Sequence, residues 1–189
     1  MTPIKMTDRY AAGDGRVRSF EPVVRPDSRV LILGSMPGVQ SLERNQYYAN
    51  PRNQFWTLVY GAFGRTPHPD YDERIRFVLE HGIALWDVLA ECVRPGSLDS
   101  SIREERTQNF AAFYRRYPGI RAVFCNGSKA YDSYRRQVGP DDRRVCIKLP
   151  SSSPTPGKYN KSLADKQLEW NAIRQWAERG SPSHKGGLL

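Results

Sequence analysis

The chain has 189 residues, of which 39% are hydrophobic, enough for one globular domain with a core and too apolar for a wholly disordered chain. Lysine and arginine number 29 against 20 acidic residues, a net charge of +9, which suits a polyanionic partner without naming it. No apolar run reaches the length of a membrane span, no internal repeat is present, and residues 1–18 lack the apolar segment of a secretory signal, so a cytosolic protein without membrane association is expected.

In chain order, residues 1–28 read as an irregular arm. Residues 30–33 (VLIL), ending at Gly34, read as a buried strand running into a loop. Residues 53–63 carry Phe55, Leu58, Val59 and Ala62 at helical spacing, and 71–80 form a second helix with Ile75, Val78 and Leu79 inward. A strand over 83–88 follows, then a helix over 104–117 that stops at Pro118-Gly119. A strand over 120–125, a helix over 128–137, a strand over 144–149 and a long helix over 162–178 complete the pattern, with Trp170, Ile173 and Ala177 facing in and a loose tail from 180 to 189. Residues 29–179 are thus expected to form one domain.

Strands alternating with helices predict an α/β fold: a three-layer αβα sandwich around a central, mainly four-stranded parallel sheet. Such sheets bind ligands beyond the carboxyl ends of their strands. The loops there span 34–53, 86–99, 126–128 and 150–161, and they hold the unusual residues.

Cys92, Cys125 and Cys146 are an odd, scattered set, poor for a disulfide framework; Cys125 and Cys146 sit in apolar runs and read as buried core thiols. His68, His81 and His184 are far apart, and neither H-x-E nor C-x-x-C occurs. No zinc site and no zinc deaminase is therefore expected.

The first loop reads Gly34-Ser35-Met36-Pro37-Gly38 and later Tyr47-Tyr48-Ala49-Asn50-Pro51-Arg52-Asn53-Gln54-Phe55-Trp56. Its glycines permit close backbone approach to a ligand, its tyrosines offer stacking faces, and the amides of Asn50 and Asn53 can position a water. Asn53 is equally a helix cap, and the loop equally a structural turn. Asp87 ends an apolar strand and needs a partner, because an unpaired buried charge is costly; that partner is Arg94, a set of loop amides, or an imide-type N–H on a bound base. The last loop, Pro150-Ser151-Ser152-Ser153-Pro154-Thr155-Pro156-Gly157-Lys158, combines small hydroxyls with rigid prolines and suits phosphate contacts, with Lys158 and Lys161 adding charge.

The string from Gly34 to Gly38, the YYANPRNQFW segment and the LPSSSP segment resemble, in order, the motifs of the uracil-DNA glycosylase superfamily. YYANPRNQFW, Ala84-Leu-Trp-Asp-Val with Gly96-Ser-Leu-Asp-Ser, and Phe124-Cys-Asn-Gly resemble the hypoxanthine (deoxyinosine) branch, and the similarity runs from about Val30 to Trp176. The resemblance implies hydrolysis of the N-glycosidic bond of deaminated bases in DNA, the first step of base excision repair. Many relatives carry an asparagine where this chain has Met36, so the resemblance moves the water-positioning role to Asn50, with Asn53 the second choice.

On that reading Gly34, Ser35, Met36, Tyr48 and Asp87 hold a flipped base, with Asp87 accepting from N1–H of hypoxanthine. Pro150, Ser151, Ser152, Ser153 and Lys158 hold the DNA. No lysine sits in the motif core for a Schiff base, so a monofunctional enzyme is expected, with no metal or other cofactor, acting as a monomer on DNA that contains a deaminated base. Uracil and xanthine remain alternative bases. A catalytically inactive nucleic-acid binder, and a small-molecule hydrolase using Ser35 or Ser152, are the competing classes; the last lacks a G-x-S-x-G elbow and a histidine in the loops.

Overall fold

A computed structural model describes residues 16–139, 141, 143–155 and 161–179. In chain order these form β1 (Arg16–Arg18), β2 (Val30–Gly34), α1 (Val39–Arg44), α2 (Phe55–Gly61), α3 (Tyr71–Glu80), β3 (Ile83–Asp87), β4 (Leu89–Val93), β5 (Arg103–Thr107), α4 (Phe110–Arg116), β6 (Ala122–Asn126), α5 (Ser128–Val138), β7 (Val145–Leu149), α6 (Leu163–Trp170) and α7 (Ala172–Glu178).

The expected sandwich is present. Its sheet has the order β3-β2-β6-β7, every pair is parallel, and helices flank it: α3 packs on β3, α5 on β6 and β7, α7 on β2. β2 and β3 are buried along their whole length, as strands covered on both faces must be, which is why they read as unbroken apolar runs. The parallel register aligns the strand ends, setting Gly34 beside Asp87 and Asn126 beside Leu149.

Several expectations need correction. Residues 104–107 do not begin a helix; they belong to β5, which pairs antiparallel with β4, which in turn pairs with β1. The segment REERT has helix-favouring residues and no apolar alternation. It is held as a strand by its ladder and by ion pairs across it, Arg106 to Glu91 at 2.9 Å and Arg16 to Glu104 at 2.5 Å, and a charged edge of this kind discourages further pairing. Arg16–Arg18, expected inside an irregular arm, is the other outer strand of this small sheet, and Val17 and Phe20 are buried against the domain.

The long helix expected over 162–178 is two helices meeting at Asn171. There Arg174 N–H bonds to the Asn171 carbonyl, a three-residue span that tightens the helix locally. Helix α1 was not foreseen. Cys125 is buried as expected, whereas Cys146 is half-buried; both are free thiols, with sulfurs 4.0 Å apart. Lys158 and the tail from 180 to 189 lie outside the described residues.

Candidate active site at the carboxyl ends of the parallel strands

Gly34, Asp87, Asn126 and Leu149, the last residues of the four parallel strands, all line one cleft of about 1280 Å³. The loops that follow them supply its walls. The first is clamped from below by buried Arg94, which donates to the carbonyls of Met36 and Pro37. Met36 is itself buried in the core at the edge of the cleft, and the Ser35 hydroxyl donates to Asp99 Oδ1 at 2.7 Å. Gly34 must be glycine: a Cβ there would collide with Asp87 Oδ1 and lie 3.1 Å from the Tyr48 hydroxyl.

Asp87 is 4% exposed, and its Oδ2 has no hydrogen-bond partner among the described residues. The pairing with Arg94, one of the partners the sequence offers, is not made; that guanidinium donates to the loop carbonyls, and among the described residues Asp87 has no ion-pair partner. Burial pushes its carboxyl up to about 7; Arg94 opposes the rise, and Asp99, itself raised by burial, adds to it. A buried carboxyl with an open oxygen beside a cleft is prepared to bind a polar group from outside.

The tyrosines divide their roles. Tyr47 is locked in the core, its hydroxyl donating to the Glu21 carbonyl at 3.2 Å and its ring edge-on to Phe20. Tyr48 has a left-handed backbone, φ 54°, and stacks on Phe55 with centroids 3.5 Å apart. One ring face is therefore covered by Phe55, and the half-buried residue lines the cleft. Asn50 and Asn53 both line the cleft. The Asn50 Oδ1 accepts from Arg52 N–H at 2.9 Å, and Asn53 Oδ1 from Phe55 N–H at 2.9 Å, where it fastens the start of α2.

The Pro/Ser loop is held in three places. Trp170 Nε1 donates to the Pro150 carbonyl at 3.0 Å, and Gln54 N–H donates to the Ser152 carbonyl at 3.0 Å. The Gln54 side chain in turn accepts from buried Lys166 at 2.9 Å. The third hold is Asn126, whose side chain accepts from Ser152 N–H at 2.8 Å and donates to Ser152 Oγ at 2.8 Å and to the Tyr48 hydroxyl at 3.3 Å. Ser152 is thus 1% exposed and lines the cleft wall with its hydroxyl held by Asn126. Ser151 is exposed and Ser153 half-buried, and their hydroxyls remain at the cleft.

In the sequence Asn126 begins one of the loops at the carboxyl ends of the strands and falls in a resembling segment, with no role attached; its position at a strand end was the available signal. Asn126→Ala leaves the Ser152 amide and hydroxyl buried without partners, and is expected to destabilise the protein by roughly 2 kcal/mol or more in urea unfolding. A change below about 0.5 kcal/mol, the range of ordinary surface substitutions, would show that the loop is held without it.

A model of the Uracil DNA glycosylase superfamily matches residues 21–177. A protein of Methanosarcina acetivorans named hypoxanthine DNA glycosylase is 34% identical over 82% of this chain and 96% of its own length. A protein of the same name from Methanosarcina barkeri is 31% identical, over 81% and 94%. A solution NMR structure from M. acetivorans, provisionally assigned as a uracil DNA glycosylase, superposes with a TM-score of 0.71 at 33% identity, covering 85% of this chain and 98% of that one.

Proposed function

The chain belongs to the uracil DNA glycosylase superfamily, and from that membership we infer that it is a DNA glycosylase, hydrolysing the N-glycosidic bond of hypoxanthine in DNA and so starting base excision repair. The observation in the site that supports reading a deaminated base in place of adenine is Asp87, a buried carboxylate with an oxygen unpartnered among the described residues at the edge of the cleft; the choice of hypoxanthine follows the named relatives. Hypoxanthine carries a hydrogen at N1 where adenine carries a lone pair. An ionised Asp87 accepts from the first and repels the second.

The target nucleotide leaves the duplex stack and enters the cleft. Its base lies against Tyr48, over Gly34, with backbone N–H groups of the Ser35–Met36 turn near O6. Cleavage builds positive charge on the sugar and negative charge on the departing base, and donors aimed at that base lower the barrier. Asn50 aligns the attacking water by position and polarisation, since an amide is not a general base. Pro150, Ser151 and Ser153 face the flanking phosphates.

Single-turnover base release at fixed salt tests the inference. Duplexes carrying one deoxyinosine, deoxyuridine or deoxyxanthosine are incubated with the protein, and alkali then reveals abasic sites. Release is expected to be fastest from deoxyinosine. Release from deoxyuridine alone would keep the family and change the base, in line with the assignment of the NMR relative. Absence of release from all three, with DNA binding retained, would overturn the enzymatic reading.

A further inference from the structure

The strands that carry the cleft at their carboxyl ends carry a second cavity, of about 720 Å³, at their amino ends. Arg121 immediately precedes β6, and Arg143 and Arg144 precede β7; Arg115 reaches the same cavity from the last turn of α4. The floor is apolar, with buried Tyr114 and Ile120.

Arg144 is fixed. Its guanidinium lies 3.7 Å from the centre of the Tyr114 ring and donates to Asp141 at 2.9 Å, while the Tyr114 hydroxyl is tied to that of Tyr134 at 2.6 Å. Arg115, Arg121 and Arg143 are exposed. Three guanidinium groups with no ion pair among the described residues, around a concave apolar floor and with Asp141 as the carboxylate whose pKa the Arg143 charge lowers, are an unusual use of charge for folding alone, because their mutual repulsion opposes it.

We propose that this cavity is a second nucleic-acid site, binding the phosphate groups of a DNA segment other than the one under repair, or of a free nucleotide. The choice of nucleic acid rests on the reading of the chain as a DNA glycosylase. Arginine forks match phosphate oxygens in pairs, and the apolar floor suits a sugar or base edge. Arg121 and Asn126 are five residues apart along one strand, roughly 17 Å, and point the two openings toward opposite poles of the sheet. A straight duplex seated in the cleft does not reach the arginines. Holding a second segment would let the enzyme pass between DNA segments without full release.

The test is binding stoichiometry on the full chain, compared with the variant R115Q/R121Q/R143Q, which spares Arg144 and its packing. Undamaged short duplexes are titrated at low salt and complexes counted by sedimentation. The wild-type chain is expected to take two duplexes and the variant one, with the variant's melting temperature no lower than the wild type's and deoxyinosine release within about twofold of each other. The salt dependence of the second event should have a slope near 3 on logarithmic axes if three phosphates are neutralised. Displacement of the second duplex by dAMP at low concentration, without loss of base release, would assign the same phosphate chemistry to a free nucleotide. A single duplex on the wild type, two on the variant, or displacement by a poly-glutamate peptide as effective as by DNA would overturn the proposal. Loss of base release with two duplexes still bound would instead overturn the glycosylase reading and leave this site standing.

Discussion

Asn50→Ala is expected to slow single-turnover release of hypoxanthine by about 10²- to 10³-fold, the loss typical of removing one fixed polar group from a reacting centre. Folding and DNA affinity should change little. The Asn50 side-chain oxygen accepts from the Arg52 amide in an exposed turn where water can replace it, and Asn50 is followed by Pro51, whose ring already restricts the backbone. Asn53 is the contrasting case. Its oxygen fastens the Phe55 amide at the partly buried start of α2, so Asn53→Ala should cost about 1 kcal/mol of stability and less than about tenfold in rate at a temperature where the variant is folded. Both variants are compared in the same release assay, with circular dichroism melts alongside. The reverse pattern, with Asn53→Ala inactive but folded and Asn50→Ala active, would transfer the water to Asn53. Loss in both with normal melts would mean that the two amides act on one water.

The two asparagines mark where sequence reasoning stops. Strands buried on both faces announce themselves as apolar runs, so VLIL, the run after His81-Gly82 and the run before Asn126 were legible, and with them the fold and the location of the cleft. REERT was not, because what makes it a strand is a partner distant in the chain and ion pairs formed only after pairing. Ser151, Ser152 and Ser153 are chemically identical in sequence. That the middle one is held at the cleft wall depends on Asn126, on another strand. Arg94 was a reasonable partner for Asp87 by charge and proximity in sequence, yet its guanidinium supports the Met36 and Pro37 carbonyls. Local pattern thus placed the carboxylate in the site, but whether it was paired or open was a property of the tertiary contacts.

That open carboxylate gives the second large effect, which has two opposite pH signatures. Burial raises the Asp87 carboxyl from an ordinary 3.8 to about 7, so the folded protein holds a proton that the unfolded chain releases. The contribution of Asp87 to stability is therefore fully present below about pH 4, is lost as pH rises between about 4 and 7, and levels off above; the span corresponds to roughly 4 kcal/mol as an upper figure. Catalysis runs the other way, because only the ionised carboxylate accepts from N1–H of hypoxanthine. Release from deoxyinosine in the free-enzyme regime should rise with pH through about 7. Below that pH a protonated Asp87 can donate to N1 of adenine, so discrimination against the normal base should narrow. Asp87→Asn removes the ionisation. Its melting temperature should lose this pH dependence, its release rate should no longer rise through pH 7, and its preference for deoxyinosine over deoxyadenosine should fall by about 10- to 100-fold, the range for one hydrogen bond to a charged group. The measurement is a pH series of melting temperature and of release from paired deoxyinosine and deoxyadenosine substrates, for wild type and variant. If the variant keeps both the rise through pH 7 and the selectivity, another group reads the base. If it loses the pH dependence of stability but keeps selectivity, Asp87 is a buried carboxyl with no part in recognition.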